Sequence, residues 1–189
     1  MSKARDVILA IVFSVGTLAF ILLMMFSPTF FDWMWARHHN VWSWYIRPLL
    51  LLPFCFFAWK KSFGGMAFSI FAMATSMGWF PPPQNPDPHV TAFLQSEYAY
   101  LYGDITTFTV LGWIAVLVTY LFMGIACFMR NIRLAMLIVI AAATLKIIWS
   151  RLEGGTSGWA ILPAALIGAL ICVLLLWVMG KYAAKNKHM

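Results

Sequence analysis

The sequence predicts an all-α fold: a polytopic bundle of six membrane-spanning helices, N-in and C-in, with two short interfacial helices on the outer side. Three observations carry this. Of 189 residues, 63% are hydrophobic and only 10% are charged, against about 25% charged in soluble domains. The apolar residues gather in runs near the length of about 20 that crosses a hydrocarbon core. The charges occupy the gaps between those runs, and they alternate in sign. Nine of the 13 Lys and Arg residues fall at the two ends or in every second gap: Lys3, Arg5, Lys60, Lys61, Arg130, Arg133, Lys181, Lys185 and Lys187. Asp32, Asp87, Glu97, Asp104 and Glu153 fall in the other gaps. Cytoplasmic loops retain Lys and Arg, so the alternation sets an orientation with both termini in the cytoplasm of a bacterial-type inner membrane.

The runs place spans at about 7–26, 41–59, 64–80, 105–129, 134–150 and 159–182, within one domain covering residues 1–189. The first run is too long for the apolar region of a signal peptide, and no small-residue cleavage site follows it, so it reads as an uncleaved span. Ser27 and Pro28 then supply an N-cap and a first helical residue. They open an interfacial helix at about 28–39, carrying Phe30, Phe31, Trp33, Met34 and Trp35 and ended by Asn40. The second span contains Arg47, Pro48 and Pro53, and each proline removes a backbone hydrogen bond. Lys60 and Lys61 make a tight inner turn, and Arg130 to Arg133 make another.

The third span meets Pro81, Pro82 and Pro83, which stop it. Asp87 with Pro88 then caps a second interfacial helix at about 88–102. Its stripe of Val90, Phe93, Leu94, Tyr98 and Leu101 is predicted to be shielded, with Gln95 and Ser96 exposed. Gly103 ends this helix and Asp104 caps the fourth span. The turn at 151–158 joins the fifth and sixth spans on the outer side. A short likeness, Trp-x-(Lys/Arg)-x-x-Gly-Gly, links Trp59–Gly65 to Trp149–Gly155. If it marks a repeat, three spans per half would invert the two copies, as in many transporters.

Charges near the hydrocarbon are the best functional leads, because each costs at least a few kcal/mol to insert. Arg47, Lys146 and Arg151 are expected to form a cationic ligand-binding pocket in the outer half, screened by Glu97 and Glu153. Lys146 interrupts an otherwise uncharged run, so a carboxylate must compensate it, with Glu97 or Glu153 the nearest by topology. The competing reading is snorkelling with structural ion pairs. Cys55, Cys127 and Cys172 lie inside apolar runs without a CxxC and read as small hydrophobes. His38 and His39 diverge by about 100° on a helix, so no metal site is expected of them. Ser43 and Ser150 show no evident His and carboxylate partners. No cofactor motif occurs in a credible context, and catalytic residues stay unassigned.

The net charge of +7 sits mainly on one membrane side, which implies anionic lipid headgroups as partners and not nucleic acid. Three functions remain open. The first is a small permease or ligand-binding membrane protein for an anionic or amphipathic solute or lipid. The second is a non-catalytic subunit or scaffold of a larger membrane complex. The third is a lipid-active enzyme at the outer leaflet. Alanines 141–143 and the small residues about Gly168 suit close packing of spans five and six, or a homo-oligomer seam.

Overall fold

Caps and breakers divide the chain. In the computed structural model, residues 2–102 and 105–185 are described, and among them all regular structure is helical. Ser2, Ser27, Ser62 and Asn131 each accept a backbone N–H at the start of a helix, opening α1 (Lys3–Phe26), α2 (Pro28–His38), α5 (Phe63–Thr75) and α8 (Ile132–Gly154). Such caps satisfy N–H groups that the helix leaves without a partner. The segment read as the second span is two helices, α3 (Trp42–Leu49) and α4 (Leu51–Trp59), parted at Leu50 between the two prolines. A 3₁₀ turn at Ser76–Gly78 follows α5. Then come α6 (Pro88–Tyr102), α7 (Thr107–Phe128), a 3₁₀ segment at Gly155–Ile161 and α9 (Leu162–Lys185).

The chain runs back and forth between two ends. At the first, Asp6 accepts hydrogen bonds from Ser62 Oγ (2.6 Å), Phe63 N (2.9 Å) and Gly64 N (3.2 Å). This ties α1 to α5 at their N-termini, and Phe13 against Phe68 and Gly16 against Phe71 continue the contact in parallel. Asp6 is the one acidic residue outside the sign alternation, and here its carboxylate meets the positive end of the α5 dipole. The turns at Lys61 and Arg130 lie side by side at this same end, and Gly180 of α9 faces Ile132 there. The other end gathers α2, the Ser76–Gly78 turn, α6 and the Gly155–Ile161 segment. Two apolar cores result. One unites α4, α7, α8 and α9 around Phe54, Met123, Cys127 and Leu176; the other holds Trp44, Val90, Phe93, Leu94 and Ala164 under α6.

By length and apolar composition, three segments are able to cross a membrane: Lys3–Phe26, Thr107–Phe128 and Ile132–Tyr182. A fourth is added if Pro28–His38 and Trp42–Trp59, which meet at 92°, count as one bent span. The longest segment folds back on itself. Gly155 takes φ 55°, Gly158 of the 3₁₀ segment packs directly on the Ser150 carbonyl, and α8 packs along α9 as a hairpin.

Several boundaries differ from those read in the sequence. The predicted turn at 151–158 is helical through Gly154, so Arg151 and Glu153 belong to α8, and Arg133 lies inside that same helix. The third span ends at Thr75 and the 3₁₀ turn, short of the prolines. Thr106 caps α7 through a reciprocal pair of hydrogen bonds with Thr109. Gly103 and Asp104, expected to end one helix and cap the next, lie outside the described residues. Asn40 does end α2, and its amide also reaches the proline cluster by donating to Pro81 O (2.9 Å). The Trp-x-(Lys/Arg)-x-x-Gly-Gly likeness has no common structure: one copy is a helix–turn–helix junction, the other an uninterrupted helix up to Gly154.

A different pair of segments does share a conformation. Lys61 N and Ser62 N bond back to Ala58 O and Phe57 O. Arg130 N and Asn131 N bond back to Cys127 O and Ala126 O in the same pattern. Each turn is a Schellman motif whose last residue also caps the next helix. In each, the left-handed position holds a cation, Lys61 at φ 55° and Arg130 at φ 58°.

Candidate functional site

Glu97 is the centre of the polar cluster at the non-basic end. It projects from α6, whose placement follows from its first turn: Asp87 Oδ1 accepts from His89 N (2.7 Å), and Val90, Phe93 and Leu94 are buried. That burial seats α6 against the Gly155–Ile161 segment and α8, with Trp44 of α3 and Ala164 of α9 beneath it, and leaves Glu97 toward His38 of α2 and Lys146 of α8. Its Oε1 accepts from Lys146 Nζ at 2.7 Å, and its Oε2 lies 3.7 Å from His38 Nε2. Lys146 Nζ also lies 5.6 Å from the centre of the Phe93 ring. The lysine in the apolar run thus has its carboxylate, supplied by α6 and not by Glu153.

His38 arrives by way of the corner at Asn40. That corner turns the chain from α2 into α3, so residues five apart meet. His38 Nδ1 lies 3.4 Å from Ser43 Oγ, and Trp44 Nε1 donates to His38 O (3.1 Å). Ser43 donates to Asn40 O (2.8 Å). Trp35, Trp44, Phe93 and Tyr98 enclose the cluster with ring contacts between 5.6 and 6.0 Å.

Ser43 was expected to lack His and carboxylate partners, and the structure corrects this. Ser43, His38 and Glu97 stand in a row. The order resembles a nucleophile, base and orienting acid, but the serine is fully buried and its proton is spent on Asn40 O. No substrate carbonyl reaches it in this arrangement, so the row works as a structural relay.

Burial is the main cause that pushes the His38 imidazole down to about 4, helped by the cations Arg47 and Lys146 and opposed by Glu97. It is therefore neutral at pH 7. Burial alone would raise the Glu97 carboxyl, but Lys146 and the hydrogen bonds outweigh it and hold Glu97 below the usual carboxylate range. With His38 neutral, Lys146 supplies the compensating charge.

Arg47 is the residue the cluster leaves over. It lies on α3 just before Pro48, and its charge reaches both Glu97 and Tyr120 of α7. Its Nε is shielded from solvent and has no hydrogen-bond partner. Among the described residues, no ion pair or hydrogen bond engages its guanidinium. Pro48 beside it packs on Gly168 of α9, and Pro48 O accepts from Cys172 Sγ (3.2 Å), so the carbonyl at the break turns to α9 and not to an open cavity.

Arg151 and Glu153 do not join this cluster. Five residues along a helix rotate a side chain by about 140° net, which carries Arg151 away from Lys146. Arg151 instead lies 6.0 Å from the Trp159 ring. Glu153 returns to the Lys146 face but about 10 Å further along the axis. Among the described residues it makes no ion pair. No protein family, no curated protein and no solved structure matches the chain, so the site stands on its own geometry. Among the described residues, no group of three or more His, Cys, Asp or Glu side chains is arranged to hold a metal ion.

Proposed function

We propose that this chain is a six-span inner-membrane protein, both termini cytoplasmic, that binds an anionic or amphipathic solute or lipid in the outer half of its bundle. Arg47 is the anchoring cation. The unpartnered Arg47 guanidinium carries this reading. A cation drawn out of water is costly unless it is paired; Arg47 is half-buried with its Nε shielded, and among the described residues it takes no pair. Glu97, the nearest acid by electrostatics, is already compensated by Lys146. An anionic group entering between α3, α6 and α7 would supply the missing acceptor. The Glu97–Lys146 pair then serves as the fastening of α6 over that site, with the partly exposed Trp35 and Tyr98 offering apolar surface to the rest of the solute. Arg151 and Glu153 are left out, since the geometry sets them elsewhere on α8.

The charge of the ligand tests this. Dodecyl phosphate and dodecanoate should raise the melting temperature of the purified protein in neutral detergent. Dodecyltrimethylammonium, with the same tail, should not. Equal shifts by all three would mean that the bundle binds tails without regard to charge.

A further inference from the structure

The two basic turns form a clasp. Lys61 Nζ lies 4.9 Å from the centre of the Phe128 ring, and Arg130 Cζ lies 5.6 Å from the centre of the Trp59 ring. Phe128 and Trp59 are the last residues of α7 and α4, so each turn lays its left-handed cation on the helix end of the other. The relation is a local two-fold one between the Lys61 and Arg130 turns. It aims two exposed cations at neighbouring points of one surface, with Lys60 and Arg133 beside them. Asp6, the acid at this end, is already engaged by Ser62, Phe63 and Gly64. Among the described residues no carboxylate pairs with Lys61 or Arg130.

A groove of about 380 Å³ opens directly below the clasp. Its walls are Phe54, Met66, Ile70, Tyr120, Gly124 and Met129, with Phe128, the ring under Lys61, at its mouth. None of its walls carries a charge. From Met129 to Tyr120 it follows α7 for nine residues, about 14 Å, close to half of a hydrocarbon core of about 30 Å. That is the depth one leaflet's acyl chain occupies. A second groove of about 420 Å³, lined by Ala10, Ser14, Thr17, Phe63, Ala67, Met66 and Ile70, shares the Met66 and Ile70 ridge with the first. Lys61 stands at the head of the helix that forms this ridge.

We propose that these features are one binding site for an anionic two-chain phospholipid. The phosphate sits on Lys61 and Arg130, and the two chains straddle α5 in the paired grooves. The charge of the mouth matches a phosphate diester, the apolar walls match acyl chains, and the depth matches a single leaflet. Aromatic rings hold the cations in place without neutralising them, which a carboxylate would do. Left-handed backbone is unusual for Lys and Arg. A glycine or asparagine would fit either position with less strain, so the choice of a cation at both turns needs a reason that the backbone alone does not supply. The headgroup end of this site, at Lys61 and Arg130, is distinct from the Arg47 cluster, and the groove reaches toward that cluster only at Tyr120.

Native mass spectrometry from nanodiscs containing equal phosphatidylglycerol and phosphatidylcholine tests the assignment. The wild-type protein should retain phosphatidylglycerol roughly 30-fold in preference, from about 1 kcal/mol for each of two cations. In Lys61→Asn with Arg130→Asn, asparagine tolerates the left-handed backbone and the preference should fall to near parity. In Gly124→Leu the added side chain enters the groove beside Phe54 and Met66, and retention of both lipids should fall. Helical content by circular dichroism identifies variants that fold, and the lysine–arginine variant alone decides the case if Gly124→Leu does not. Equal retention of the two lipids by the wild type would overturn the proposal, and so would unchanged selectivity in the double variant. Stabilisation by inorganic phosphate alone, equal to that by phosphatidylglycerol, would overturn the lipid assignment.

Discussion

Glu97 Oε1 and Lys146 Nζ are 2.7 Å apart, although 49 residues separate them in the chain. The bond joins α6, a helix opened by a proline, to the middle of α8, an apolar helix with no other charge between Arg133 and Arg151. It explains why a lysine persists at 146. The Lys146 side chain is 45% exposed and that of Glu97 22%, so the pair is partly screened.

Lys146→Met should therefore lower stability modestly, on the order of 1 kcal/mol after allowance for solvent screening. The loss comes from leaving Glu97 without its cation. Lys146→Met with Glu97→Gln should recover most of it, because no charge is then left over. Thermal melts of the three proteins in one detergent check this. A single variant as stable as wild type, or more so, would show that the lysine only snorkels.

The His38 imidazole lies at about 4 in the folded protein, below its ordinary value of 6.5. Between those values the unfolded chain takes up a proton and the folded one does not, so stability falls as pH drops from 6.5 toward 4. Glu97 is shifted down as well, and its contribution is lost only as pH falls below the ordinary carboxylate value of 4.5. The upper part of the window thus belongs to His38. Melting temperature should decline from pH 6.5 to 4.5 in the wild type and stay flatter in His38→Gln. Parallel curves would remove His38 from the cause.

Gly158→Ala should be among the most damaging small substitutions in the chain. Its Cβ would run into the Ser150 carbonyl and the Arg151 backbone, and backbone atoms cannot swing aside. Displacing the 3₁₀ segment from the end of α8 should cost about 2–3 kcal/mol. Gly180→Ala, which meets only the Ile132 side chain at 3.2 Å, should cost much less. Denaturation midpoints of the two variants in mixed micelles decide between these outcomes.

The proposed orientation rests on the gathering of Lys3, Arg5, Lys60, Lys61, Arg130 and Lys181 at one end of the bundle. Reporters fused after Lys61, Arg133 or Met189 should report cytoplasm, and reporters after His89 or Gly155 the outside. A C-terminus outside with an N-terminus inside would require an odd number of crossings and would end the six-span reading.

How far the sequence revealed these features depended on whether the physics was local. Asp87 and Pro88 mark the start of α6 unambiguously, and the helix begins there. Lys146 called for a carboxylate because an uncompensated charge in an apolar run is expensive, and Glu97 provides it. The meeting of Ser43 with His38 was not legible, since it depends on the 92° corner at Asn40 and not on any spacing within one helix. Val90, Phe93 and Leu94 are buried as the helical stripe requires. Tyr98 is 44% exposed because it leans on Phe31 and Trp35 at the edge, and Ser96, expected outside, is half-buried with its hydroxyl on Phe93 O. Leu101 lies beyond the residues whose side chains are described. Gly154 and Gly155 suggested a turn from residue 151, yet only Gly155 leaves the helical backbone. The clasp of Lys61 and Arg130 was hidden for a different reason. Its two turns share hydrogen bonds and backbone angles but almost no residue types.

The most direct test of the central claim is a titration of dodecyl phosphate into the purified protein and into Arg47→Gln, followed by isothermal calorimetry in neutral detergent. If Arg47 receives the anionic group, the substitution should weaken binding by roughly tenfold or more, the equivalent of a charged hydrogen bond of about 1.5–3 kcal/mol. Folding should be retained or improved, because a half-buried cation whose Nε has no partner has been removed. Undiminished affinity in a folded Arg47→Gln protein would contradict the account at the residue on which it rests.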